Sequence, residues 1–313
     1  GRGMSASVRR GSSIGSATAR ASLDRDGVVT IQHNAPDVGE GAHTVISVVA
    51  AGTMGISQDQ VRVAQPDTDN HLYFSGSSSQ RVTVQMGNAV ENACKALKDE
   101  LRYAAARVLG GDASEWIVEN GTLRRDRTAL TFSELARRLA VDEALTATGE
   151  YVHGGPVVNA AFGDHDHWSP GVAAVEVEVD TETGDVRVLQ YSAVADAGKI
   201  LHYNSARGQI EGGAVMGFGS TLSEELQYEE GQLMNADPFQ YRLPLMSDIP
   251  EQFHTIILEH GDGPGPFGSK GIAQTSIPCV APAVANAICD AVGVRLTRIP
   301  LTPEKILSAL SER

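Results

Sequence analysis

Gly265-Pro266-Phe267-Gly268-Ser269-Lys270-Gly271-Ile272-Ala273-Gln274 cannot form a regular element. Glycine and proline punctuate it, and a serine, a lysine and a glutamine stand among them. An alanine-rich run from about Val280 to Val292 follows with helical character. A loop of small residues that brings backbone N–H groups and a cation to the start of a helix can hold an anion. Three other segments share the design: Gly39-Glu40-Gly41, Gly76 to Ser79, and Gly208-Gln209 inside a helix. Each alone reads as an ordinary cap or turn. Together they suit a large, polar, phosphate-bearing ligand.

Working outward, the strongest periodic signal runs from Gln80 to Leu109. Val82, Met86, Ala89, Ala93, Leu97, Leu101, Ala104 and Val108 recur at threes and fours and predict one long amphipathic helix. Shorter helices are expected at about His43–Met54, Thr131–Leu139 and Asn204–Leu222. Val172–Asp180 and Asp185–Ser192 alternate apolar and polar residues around Thr181-Glu182-Thr183-Gly184, a hairpin signal. Further strands are expected at 27–32, 61–63, 225–228 and 255–259. Residues 1–26 read as a loop with one strand, and 146–169 as loop. Helices and strands mix without strict βαβ alternation. The expected fold class is therefore α+β in two lobes, residues 1–155 and 156–313.

Of 313 residues, 25 are Lys or Arg and 39 are Asp or Glu, a formal net charge of −14 that repels phosphate backbones and argues against a nucleic-acid partner. No apolar run approaches the length of a membrane helix, so no membrane role is expected and the protein reads as cytoplasmic. Cys94, Cys279 and Cys289 are isolated, and there is no CxxC, no GxGxxG after a strand and no GxxxxGK[ST]. Neither an iron–sulfur cluster nor a zinc site has its ligands here, and any redox cofactor of the dinucleotide or cluster kind is expected on another chain. Asp164-His165-Asp166-His167 has metal-binding composition but reads as a solvated loop.

The 265–274 segment, followed by Val280-Ala281-Pro282-Ala283-Val284-Ala285-Asn286-Ala287-Ile288 and Leu301-Thr302-Pro303-Glu304-Lys305, resembles the C-terminal signature of the molybdenum hydroxylases. That family holds xanthine dehydrogenase, aldehyde oxidase and carbon monoxide dehydrogenase. Asp37-Val38-Gly39-Glu40-Gly41-Ala42-His43-Thr44, Asp67-Thr68-Asp69, Gly208-Gln209-Ile210-Glu211-Gly212-Gly213 and Tyr241-Arg242-Leu243-Pro244 resemble further family motifs, in family order. The resemblance covers the C-terminal half of the family's molybdopterin-binding subunit. It implies a subunit split between two polypeptides, similar to nicotinate dehydrogenase, rather than a fragment.

The resemblance implies a molybdenum-bearing molybdopterin, by family habit the cytosine dinucleotide, with [2Fe–2S] clusters and FAD on partner subunits. The expected partners are the upstream half of the molybdopterin subunit, an iron–sulfur subunit and a flavin subunit, and the substrate is a small aldehyde or N-heterocycle that becomes hydroxylated. The implied cofactor contacts are Arg2, Gly3, Met4, Glu40, Gly41, Ser77, Ser78, Ser79, Gln209, Gly268, Ser269, Lys270 and Gly271, with no side chain binding the metal. Tyr73, Phe74, Phe162, Trp168 and Phe267 are candidate walls of a substrate funnel.

The catalytic position implied by the family falls on Gln274, where a glutamate is usual. A neutral amide donates and accepts hydrogen bonds but takes no proton near neutral pH. Glu40, where Gln is common in the family, is the second departure. Three outcomes stay open at Gln274: hydroxylation with a base from a partner chain or the substrate, altered molybdenum chemistry such as hydration or alcohol oxidation, or a non-catalytic scaffold subunit.

Overall fold

The structure, a computed structural model, describes residues 1–11, 15–140, 144–152 and 167–312. Asp164, His165, Asp166 and Phe162 lie outside the described residues.

Two open sheets each carry helices, which is the α+β arrangement expected. The first sheet joins β2 (Ser16–Leu23), β3 (Val29–Gln32), β4 (Val61–Val63) and β8 (Leu145–Val152) in the order β4-β3-β2-β8. Helices α1 (Ala42–Met54) and α2 (Gly87–Leu109) pack on it. The second sheet joins β1 (Arg2–Gly11), β9 (His167–Val179), β10 (Val186–Asp196) and β13 (Gln252–Leu258) in the order β1-β9-β10-β13. Against it lie α4 (Tyr203–Leu222) and α6 (Ile277–Val292). A small sheet of β5 (Ile117–Glu119), β6 (Thr122–Arg125) and β7 (Thr128–Thr131), followed by α3 (Phe132–Arg138), closes the first core.

The long helix forms as its spacing predicts: Val82, Met86, Ala89, Ala93, Leu97, Leu101 and Ala104 are buried along one stripe. Its first turn departs from α geometry, since Val82–Met86 is a π turn. The β9–β10 hairpin also forms, antiparallel, with a bulge between Val188 and Gln190.

Two stretches read as loop are strands. β2 buries Ala17, Ala19, Ala21 and Leu23 in strict alternation, but alanine is a weak strand former and hides the signal. β8 pairs with β2 along its whole length. β1 pairs with β9 from Arg2↔Glu176 to Gly11↔His167, so residues 2–11 join the second sheet and not the first. Chain order alone assigns them to the first lobe. The strand crosses over because α6 offers a surface of small residues, including Ala283 and Ala287, on which a glycine-bearing strand can lie flat.

Cys94 and Cys279 are buried and Cys289 is half-buried. Burial pushes the Cys94 thiol up to about 12, so it packs as a small apolar group. Among the described residues no cluster of three or more His, Cys, Asp or Glu could hold a metal ion, and no helix is long and apolar enough to cross a membrane.

His33, fully buried at the end of β3, packs edge-on against His43 with ring centroids 5.3 Å apart. Burial, and then the charge of His43, hold its pKa down to about 4 from 6.5. The unfolded chain therefore binds more protons across that interval, and stability rises with pH through it. The urea midpoint is expected to climb between about pH 4 and 6.5 and to level off above. His33→Asn, which keeps an acceptor for the Ala35 N–H, is expected to flatten the climb, and an unchanged slope would refute the assignment.

Candidate cofactor and substrate cavity

A cavity of about 600 Å³ opens between the two sheets' helices. Its walls come from five places: the end of β1 (Arg9), the loop before α1 (Val38, Glu40), the loop before the π turn (Ser77–Arg81), the segment from Ala197 into α4 (including His202 and Gln209), and residues 270–274. The structure thus brings together Glu40, Ser77, Ser78, Ser79, Gln209, Lys270, Gly271 and Gln274 from segments far apart in the chain.

The other expected contacts lie elsewhere. Arg2 pairs with Glu176 at 3.3 Å, its N–H donates to Asp290, and Met4 is exposed with its carbonyl accepting from Asn286. A Cβ on Gly3 would stand 2.1 Å from the Ala283 carbonyl oxygen, so this glycine permits β1 to lie against α6. Gly41, half-buried Gly268 and buried Ser269 do not line it. Tyr73, Phe74, Trp168 and Phe267 do not line the cavity either. Phe74 packs on the first core and the Phe267 ring lies over Gly52.

The amides before α1 are already satisfied within the protein. Asp37 accepts from the N–H groups of Gly39 (3.0 Å), Gly41 (3.3 Å) and His43 (3.3 Å). Although burial works the other way, these N–H groups keep the Asp37 carboxyl below its usual range. That helix terminus is therefore capped, and the ligand-facing group of the loop is the Glu40 side chain. Its Oε2 accepts from the Val38 N–H at 2.7 Å, while Oε1 is buried with no partner.

Lys270 also differs from its expected role. Its ammonium donates to Asp196 at 2.6 Å and pairs with Asp262 at 2.8 Å, with only 9% of the side chain exposed. Burial opposes its charge, yet these two carboxylates hold its pKa above the usual value. Asp196 also accepts from the Gly198 N–H at 2.9 Å. Lys270 thus clamps the loop to the end of β10, and its charge is spent on the protein.

A second tie comes from Gln80, which sequence reasoning missed because a lone glutamine at a helix start carries no signal. Its Nε2 donates to the Ala273 carbonyl at 3.3 Å, and its Oε1 meets His167 Nε2 at 3.2 Å. The Ser169 hydroxyl donates to the Gly271 carbonyl at 2.7 Å and lies 3.1 Å from the same Oε1. Gly271 allows this approach: a Cβ there would stand 2.3 Å from the Cβ of Gln80.

Three lining residues that are not glycine hold left-handed backbone conformations: Ser79 (φ 49°), Gln80 (φ 63°) and Gln274 (φ 63°). Each costs about 1–3 kcal/mol, and such strain concentrates where ligands are gripped. Gln274 stands exposed at the cavity, and its Oε1 accepts from Arg9 Nη2 at 2.6 Å. Arg9 Nε is buried without an acceptor. Two residues lining the cavity, Arg9 and Glu40, therefore each carry a buried polar atom without a partner. Such a pair suits a ligand whose edge both accepts and donates, as a pterin does.

Residues 1–250 match the family described as "Molybdopterin cofactor-binding domain". The chain is 32% identical over 291 residues to the "6-hydroxypseudooxynicotine dehydrogenase complex subunit gamma" of Paenarthrobacter nicotinovorans, covering 91% of this chain and 36% of the relative. It is 31% identical over 302 residues to the "Aldehyde oxidoreductase molybdenum-binding subunit PaoC" of Escherichia coli, covering 94% and 38%. Among solved structures, the aldehyde oxidoreductase of Desulfovibrio gigas aligns with a TM-score of 0.82 at 28% identity, covering 99% of this chain and 32% of that one. The chain spans 30–39% of the length of the curated relatives it matches.

Replacing Lys270 by Met is expected to destabilise the fold by about 3–5 kcal/mol, since it leaves the buried Asp196 carboxylate unpaired. Adding Asp196→Asn should recover much of the loss. Denaturant unfolding of the single and double variants measures both, and additive losses would exclude the clamp.

Proposed function

The chain belongs to the molybdopterin cofactor-binding domain family, and from that premise we propose that it forms part of the molybdopterin-binding subunit of a molybdenum-dependent oxidoreductase. The observation that carries the reading is the convergence of Arg9, Glu40, Ser77–Ser79, Gln209, Gly271 and Gln274 on one cavity. In this reading Glu40 accepts from the N–H groups of the pterin edge, Gln209 and the Ser77–Ser79 segment contact its polar rim and phosphates, and Gly271 lets Gln80 hold the 270–274 wall in place. The preferred form of the cofactor is the cytosine dinucleotide. When bound, the group supplies the oxygen-transfer centre and takes up the two electrons of the oxidation.

Gln274 stands where a general base is expected. Its Oε1 is occupied by Arg9, so it offers its amide N–H groups to substrate or water and orients them without removing a proton. A general base typically contributes about 10²–10⁴ in rate. Hydroxylation of an aldehyde or N-heterocycle therefore draws its base from the substrate or from a partner chain. The second reading, hydration or alcohol oxidation with Gln274 orienting water, rests on the same contact.

The proposed partners are the upstream half of the subunit, an iron–sulfur chain and a flavin chain. One surface supports a covering partner: Tyr228, Met234, Phe239, Leu243, Leu245 and Met246 are all exposed within a short segment, with Phe239 93% accessible. Isolation of the native complex tests the reading. Stoichiometric molybdenum, with iron and flavin on co-purifying chains identified by mass spectrometry, is the expected result. Absence of molybdenum and of such chains would overturn it.

A further inference from the structure

Among the cations lining the cavity, one stands apart. Lys199 is paired with Glu259 at 3.0 Å and Lys270 with two aspartates, while Arg81 donates to the Ser75 carbonyl and the Ser78 hydroxyl at 3.1 Å each. Arg9 has only the neutral amide of Gln274. Its Nε is buried without an acceptor, and among the described residues no carboxylate lies within ion-pair distance of it. A half-buried guanidinium with a spare donor is costly unless a ligand completes it. Its guanidinium carries further Nη–H donors that a carboxylate can accept from.

We propose that Arg9 is a specificity residue that receives a carboxylate group of the substrate, and that the neutral side chain at 274 leaves its charge available for that purpose. The proposal rests on reading the cavity as the cofactor and substrate chamber. It also gives the departure at position 274 a physical role. A glutamate there would sit within hydrogen-bond distance of Arg9, neutralise it, and repel an incoming anion. A monocarboxylate fits better than a phosphate, because Arg9 supplies one uncompensated charge.

Isothermal titration of the purified native complex with benzoate and acetate, against benzamide and acetamide, tests the proposal. Molybdenum content is measured on every sample. The charged probes are expected to bind and the amides to bind roughly 10- to 100-fold more weakly, the range for a hydrogen bond to a charged group. Arg9→Gln removes the cation and Gln274→Glu cancels it in place, so each should weaken benzoate by a similar factor with molybdenum retained. Arg9→Lys should keep part of the preference. Equal binding of acids and amides, or no loss in either variant, overturns the proposal. Loss of molybdenum in Arg9→Gln would instead make Arg9 a cofactor contact, which overturns the substrate role and leaves the cofactor reading intact. A wild-type complex without molybdenum refutes the cofactor reading itself, while the acid–amide contrast still decides the role of Arg9.

Discussion

The cavity depends on how the loop of residues 265–274 is held, and it is held by buried polar groups on two sides. Lys270 sits between Asp196 and Asp262 and draws the loop onto the end of β10. Gln80 and Ser169 grip the carbonyls of Ala273 and Gly271 from the start of the long helix and from β9. These bonds lie in a partly dry region, where a lost partner leaves a charge or a dipole unsatisfied. The loop is therefore fixed in one place, and the strained backbone of Gln80 and Gln274 is tolerated because the surroundings leave no alternative.

Fixing the loop fixes the side chain of Gln274, and through it the charge balance of the chamber. The lysines on the wall and the capped terminus of α1 contribute little free charge, since Glu259, Asp196, Asp262 and Asp37 answer them. What remains is a donor end at Arg9 and an acceptor end at Glu40. Gln274 is thus one half of a pair: as a neutral amide it accepts from Arg9 without cancelling its charge.

Much of the fold was legible because burial imposes periodicity. The stripe from Val82 to Ala104 and the alternation of β9 and β10 are direct consequences of one face meeting the core. β2 was hidden because its inward residues are alanines, which carry almost no strand preference and reveal themselves only when α2 lies over them. Loops picked out in the sequence by their small residues do meet at one cavity, although the amides before α1 are satisfied by Asp37. Arg2, Gly3 and Met4 lie away from the cavity, in the strand packed on α6, and Lys270 lines it while paired to two aspartates.

The sequence by itself determined the long helix, the β9–β10 hairpin, the α+β class and the glycine-bearing loops, because each of these follows from local chemistry or from spacing along one element. Only the tertiary structure decided that β1 joins the second sheet, that Lys270 pairs with two aspartates, that Gln80 ties the 270–274 loop to β9 and that Arg9 meets Gln274. These are contacts between residues up to 265 positions apart. Nothing in the local sequence encodes which partner a polar side chain will meet, since that is set by how two packed cores bring their loops together.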